Sequence, residues 1–264
     1  MARRPDAVMP ETVAPQADES WEQLKRRDWG GFGGAGDYES LLGGHAREVD
    51  REAVASLLSE ATPGRRVLDL PCGAGRMSHW LLSRSSQSES PEHRSPEQLI
   101  SADYSPGMLA VAQRRLANPV LRCDAFELPF GADSFDSFLC LRLIFHYQDP
   151  APILTEAARV LRPGGELVFD TLNAFSTRHL VEQVLRVLGL RRKTTGLRFM
   201  RRREVAALAA ACGLQVTRDE ARYLLPTRLY RVLPRILCRL LQACERWVPS
   251  PLRVLTFWRV VKPS

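Results

Sequence analysis

Two glycines, Gly73 and Gly75, follow a short apolar run that ends in an aspartate: VLDLPCGAGR, residues 67–76. A glycine turn between a strand and a helix lets a ligand come close to the backbone. The lysine and hydroxyl pair of a phosphate-binding P-loop is absent, and so is a complete G-x-G-x-x-G. Aspartates also end the next two apolar runs, Asp103 after residues 99–102 and Asp124 after residues 120–123. A carboxylate at the end of the second strand can accept hydrogen bonds from both hydroxyls of a ribose. Asp103 stands 30 residues beyond Gly73, and a polar tract at 83–97 supplies 15 of them. Without that tract the unit has the short spacing usual for a ribose-binding acid. The alternative for Asp103 and Asp124 is a capping role at strand-end turns. The glycine turn in front of them favours ligand binding.

The elements that would position these residues alternate. Residues 67–70, 99–102, 120–123, 137–143 and 166–171 read as buried strands, because short apolar runs lie between turn signals. Helices are expected from Gly75 to about residue 82, from 106 to 117 behind a Ser105 cap and Pro106, and from 152 to 161 before Pro163-Gly164-Gly165. A helix over 203–211 closes at Gly213, and strands at 214–223 and 254–261 follow. Strands alternating with helices predict an α/β fold, a doubly wound and mostly parallel sheet with helices on both faces. An acid at each of three successive strand ends then converges on the crevice where such sheets bind ligands.

Four stretches carry a specific resemblance: VLDLPCGAGR (67–76), ISADYSPGMLAVAQRR (100–115), CDAFELPFGADSFDSFLCLRLIFHYQDP (123–150) and ARVLRPGGELVFDT (158–171). Together they resemble the class I S-adenosylmethionine-dependent methyltransferases, the small-molecule type that includes the ubiquinone and menaquinone methyltransferases. The resemblance covers residues 65–171, with weaker support to 216. Pro71 and Ala74 stand where the family usually has glycine and threonine. The resemblance implies a Rossmann-like methyltransferase fold and S-adenosyl-L-methionine as cofactor, S-adenosyl-L-homocysteine as product and no metal. It implies that Asp69 orients the loop and holds the methionine end, with Gly73 and Gly75 passing close by. Asp103 would bind the ribose, with Tyr104 and Met108 flanking the adenine. Asp124 would bind its amino group beside Ala125, and Leu141 would border the methionine. Met108 also suits ordinary helix packing.

Methyl transfer from a sulfonium is a direct displacement, accelerated largely by holding the nucleophile in line. A protein base is needed only where the acceptor must lose a proton. His146, just after the fourth strand, is the candidate, although a histidine packed against the cofactor loop is as ready an explanation. Tyr38 and His45 fit a solvated helix face, and His79 and His179 have no stronger claim. The place after the fourth strand reads Leu141-Arg142-Leu143-Ile144, not the N/D-P-P-Y/F of enzymes that methylate nucleic-acid bases.

The remaining chain frames the site. Residues 1–20 read as a disordered arm, 21–264 as a single domain with its core at 65–171, and 83–97 as a mobile loop. Residues 29–36 read as a loop and 38–58 as a helix that Gly43-Gly44 can break. Residues 176–196 and 229–248 exceed what a sheet connection needs and read as helical cap insertions over the site. The second has leucines at helical spacing, interspersed arginines, and Pro234 to kink or split it. Such a stripe can enclose a hydrophobic acceptor or rest on an anionic membrane. A surface helix carries such a stripe ordinarily, so peripheral membrane contact is not the favoured reading.

A net charge of +7 permits acidic partners without selecting one. The basic runs at 191–193 and 201–203 lack an accompanying nucleic-acid module, so nucleic acid is not the expected partner. Six cysteines without a C-x-x-C pair, and no signal peptide or membrane-spanning run, suggest a cytoplasmic protein. The expected function is methyl transfer to oxygen, nitrogen or carbon of a small, hydrophobic molecule. The alternatives are a non-catalytic S-adenosylmethionine-binding regulator and an RNA-associated methyltransferase.

Overall fold

A computed structural model describes residues 44–58, 65–83, 98–189 and 196–264. The expectations for 1–20, 29–36, Tyr38, the 83–97 tract beyond Ser83, and 191–193 lie outside the described residues. In chain order the elements are α1 (Gly44–Leu57), β1 (Arg66–Asp69), α2 (Arg76–Ser83), β2 (Gln98–Asp103), α3 (Pro106–Arg115), β3 (Val120–Arg122), β4 (Phe135–Cys140) and α4 (Ala151–Val160). Then follow β5 (Leu161–Asn173), α5 (Thr177–Val187), β6 (Phe199–Met200), α6 (Arg202–Ala211), β7 (Gln215–Arg222), α7 (Arg235–Cys244) and β8 (Leu255–Val261).

The strands form one eight-stranded sheet in the order β3-β2-β1-β4-β5-β8-β7, with the short β6 also pairing with β5. Pairing is parallel from β3 to β5, and β8 runs antiparallel to both β5 and β7. This is the expected doubly wound, mostly parallel sheet. All of β4 is buried, as parallel strands covered on both faces must be. One apolar cluster joins strand residues to Ile153, Leu154 and Ala157 of α4 and Val205 and Ala209 of α6. Another joins the sheet to Ala46, Val49 and Ala53 of α1, Met77 and Leu81 of α2, and Cys238 of α7.

Local chemistry sets the element ends. The Ser105 hydroxyl caps α3 by accepting from the Met108 N–H, and Pro106 opens that helix. Gly213 terminates α6 at φ +76. Pro234 neither kinks nor bends a continuous helix. It splits the segment into a 3₁₀ turn at Leu229–Arg231 and α7, which it caps.

Candidate functional site

The strand order reverses between β1 and β4, which opens a crevice beyond their C-terminal ends. A cleft lies there. Its lining includes Asp69 at the end of β1, Asp103 at the end of β2 and Asp124 just beyond β3. Gly73, Tyr104, Met108, Ala125 and Leu141 line it too. Eight of the residues singled out in the sequence therefore face one cavity.

Asp103 is buried, and both of its oxygens are engaged by the backbone. The Gly73 N–H donates to Oδ2 at 2.8 Å and the Ser105 N–H to Oδ1 at 2.9 Å. The capping role and the cleft position thus belong to the same carboxylate. Burial raises its pKa, partly offset by the amides of Ser105, Gly73 and Tyr104. Asp69 accepts from the Ser78 hydroxyl, which in turn accepts from Ser101 Oγ at 2.6 Å. Burial pushes the Asp69 carboxyl up to about 6, against the pull of Ser78 and Arg76. Asp124 Oδ1 accepts from the Phe126 N–H at 3.0 Å. The Arg122 guanidinium lies 5.1 Å from the Tyr104 ring centroid and donates to the Tyr104 carbonyl at 3.0 Å.

The two glycines have separate physical reasons. Gly73 sits at φ +55, and a Cβ there would meet nothing within 4 Å. It leaves the loop backbone open to the cleft. Gly75, at φ +80, does not line the cleft. A Cβ there would stand 2.7 Å from Leu116 Cδ1. Its lack of a side chain lets the loop pack closely against the end of α3.

His146 closes the 3₁₀ turn Ile144–His146, with its ring 4.7 Å from that of Phe145. It is not among the lining residues, where Tyr147 stands instead. His45 stacks on Tyr230 at 5.8 Å and His179 packs on Phe199 at 4.1 Å, so both are packing histidines. No described residue of 176–196 or 229–248 lines the cleft. Helix α5 buries none of its residues, and Cys238 of α7 packs in the apolar cluster that holds α1.

Sequence reasoning missed the cationic wall. Arg47, Arg76 and Arg142 line the cleft, and beneath them lies Asp50 of α1, fully buried. Asp50 accepts from Arg142 at 2.6 Å, from Arg76 at 3.0 Å and from the Tyr223 hydroxyl at 2.7 Å. Burial pushes its carboxyl up, but Arg142, Arg76 and Tyr223 outweigh this and hold it below the ordinary carboxylate value. Arg142 adopts φ +63, a conformation rare outside glycine, and its N–H donates to Asp170 Oδ1 at 2.7 Å. Burial raises the Asp170 carboxyl to about 6 despite Arg142. Arg47 and Asp50 are one turn apart on α1, but Arg76, Arg142, Asp170 and Tyr223 are far from them in sequence, so no spacing signal announces the group. Cys72 and Cys123 also line the cleft, and burial raises both thiols, Cys123 to about 12.

Among the described residues no cluster of His, Cys, Asp and Glu could hold a metal ion. The donor set suits a different ligand. Carboxylates can take a diol, an amino group and a cation, and Met108, Ala125 and Leu141 offer flat apolar surface for a ring.

Comparisons with known proteins agree with this geometry. Residues 68–169 match the family model described as a methyltransferase domain. The chain is 32% identical over 195 residues to a malonyl-[acyl-carrier protein] O-methyltransferase of Hahella chejuensis, covering 73% of this chain and 65% of the relative. It is 37% identical over 109 residues to a demethylmenaquinone methyltransferase of Clavibacter sepedonicus, covering 40% of each. The matches thus span less than two thirds of these relatives' own lengths. In fold it is similar to the magnesium protoporphyrin IX methyltransferase of Synechocystis, solved with bound S-adenosylhomocysteine. That similarity has a TM-score of 0.55 at 17% identity, over 91% of this chain and 94% of that one.

Proposed function

We propose that the chain, whose residues 68–169 match a methyltransferase domain, is an S-adenosylmethionine-dependent enzyme that methylates oxygen, nitrogen or carbon of a small, hydrophobic molecule. The observation that carries the proposal is the meeting of Asp69, Asp103, Asp124 and Gly73 in one cleft at the β1–β4 reversal. When bound, S-adenosyl-L-methionine supplies an electrophilic methyl group on a sulfonium.

The chain's residues bind and orient. Asp103, already fixed by two backbone amides, would present its carboxylate to the ribose hydroxyls. Tyr104 and Met108 would flank the adenine, and Asp124, beside Ala125, would hold its amino group. Gly73 leaves room for the methionine end beside Asp69. Leu141, Leu143 and Tyr147 border the remaining space and supply an apolar surface that excludes water from the transfer. Positioning then contributes most of the acceleration. No histidine lines the cleft among the described residues. His146 accordingly stays outside the mechanism proposed here, and an acceptor that is already nucleophilic needs no base from the protein.

All six cysteines are free thiols, which suits a reducing cytoplasm. Among the described residues no helix is long and apolar enough to cross a membrane. The test combines calorimetric titration with S-adenosyl-L-methionine and incubation of labelled cofactor with extracts of small metabolites. Saturable binding and label in an organic-soluble product are expected. Absence of binding by the folded protein removes the proposal, and binding without label in any extract removes its catalytic half.

A further inference from the structure

The turn before α7, the helix itself and the turn after it present to solvent an apolar stripe that no described residue covers. Val232, Ile236, Leu240 and Trp247 recur at helical spacing and are 70%, 72%, 56% and 77% exposed. The inner face is Tyr230, Cys238 and Glu245, all buried. An arginine directly precedes Ile236, Leu240 and Trp247, and Arg228 precedes the exposed Leu229. One residue is a rotation of about 100° on an α-helix, so Arg235 and Arg239 of α7 run along one flank of Ile236 and Leu240. Arg228, Arg235 and Arg239 are exposed and unpaired with any acid among the described residues. No Asp or Glu occurs from residue 228 to 244, and the first that follows, Glu245, is held inside by the Tyr223 N–H at 2.8 Å.

We propose that this face docks on an anionic membrane surface. An apolar stripe outside, a cationic flank and no acid are what an interfacial helix needs, the stripe entering the acyl boundary and the arginines meeting anionic headgroups. A second copy of the chain would offer the arginines no counter-charge on this face. Helix α5 makes the contrast. It also exposes Leu180, Val181 and Val184, but it carries an acid, Glu182, which pairs with Arg178 at 3.3 Å, whereas α7 carries none. The stripe is divided: Leu233 and Leu241 pack on the core cluster beside the buried Cys238, whereas Ile236 and Leu240 face solvent. Through Gln242, whose amide donates to Glu52 at 2.8 Å, α7 rests on α1, the helix that brings Arg47 to the cleft.

Flotation of the full chain with phosphatidylcholine vesicles, alone or with about one-third phosphatidylglycerol, tests the proposal. Expected are flotation on the anionic vesicles at low salt, release at high salt, and little flotation on the neutral ones. Trp247 emission should shift to the blue on binding, a change missing in Trp247→Phe. Arg235→Glu/Arg239→Glu should lower vesicle affinity about tenfold or more. Ile236→Ser/Leu240→Ser should do the same with an unchanged melting temperature, since both side chains are exposed. Equal flotation on both vesicle types, none at low salt by the folded protein, or a dimer that these substitutions dissociate would overturn it. The assay needs neither cofactor nor acceptor, so its failure leaves the proposed reaction untouched.

Discussion

Asp103 does two things at once, and its substitution should be felt in both. Its carboxylate holds the Gly73 and Ser105 amides and faces the cleft. Asp103→Ala should weaken S-adenosyl-L-methionine binding about 10- to 100-fold, since a charge-assisted hydrogen bond is worth about 1.5–3 kcal/mol. The sequence alone suggests little loss of fold; with two amides left unpaired, the melting temperature should fall by several degrees as well. Calorimetry below the melting transition checks the first part, and unchanged affinity contradicts the ribose role. Asp69 gives a pH signature. Its folded carboxyl titrates near about 6 against an ordinary 3.8. The stability this contributes is present below the ordinary value and lost as pH rises through the folded one. The gap is worth about 3 kcal/mol. Asp69→Asn, which cannot ionise, should therefore gain on the wild type by that order between pH ~4 and ~7. Urea unfolding of both proteins at the two pH values decides it, and a constant difference refutes it. At this scale the sequence was legible wherever a residue sat at a strand end. It was silent on Arg47, Arg142 and Asp50, which only the tertiary fold brings together.

The glycine loop and α1 are the elements that hold the cleft open, and they hold it by different physics. Gly75 combines a left-handed backbone with Leu116 at 2.7 Å from any added Cβ. Gly75→Ala should cost about 2–4 kcal/mol, part from the backbone and part from overpacking. In a Leu116→Ala background the packing part disappears, so the two substitutions should not add; additive losses in urea unfolding would show that Leu116 is not the obstacle. Helix α1 is tied down through Asp50. Asp50→Ala leaves Arg76 and Arg142, both largely buried, without their shared carboxylate. Breaking a buried pair this way costs about 3–5 kcal/mol. Unfolding measurements should find a loss of that size, and a loss under 1 kcal/mol (about a surface pair's worth) would mean solvent already neutralises the site. Element types were readable from apolar runs and caps: Ser105-Pro106 opens α3, and Gly213 ends α6. Strand β6, two residues long, is too short for any periodicity to register. The segments at 176–196 and 229–248 were legible only in part. Their spacing revealed an apolar stripe correctly, but spacing carries no information about which way a stripe faces.

For the whole molecule, the sheet order explains why residues from four separate stretches meet. From the adjacent strands β1 and β4 the chain leaves toward opposite edges of the sheet, so the ends of β1, β2 and β3 supply carboxylates on one side of the crevice and the β4 loop supplies Leu141 and Arg142 on the other. The alternation of strands and helices made this architecture legible in advance; the antiparallel insertion of β8 between β5 and β7 was not, because alternation alone does not set strand order. A crystal structure of the chain with S-adenosyl-L-homocysteine decides whether this crevice is the cofactor site. The ribose hydroxyls should lie on Asp103, the adenine beside Tyr104, Met108 and Asp124, and the sulfur should face the space bordered by Leu141 and Tyr147. Ligand bound elsewhere, or a ribose with no contact to Asp103, would contradict this assignment.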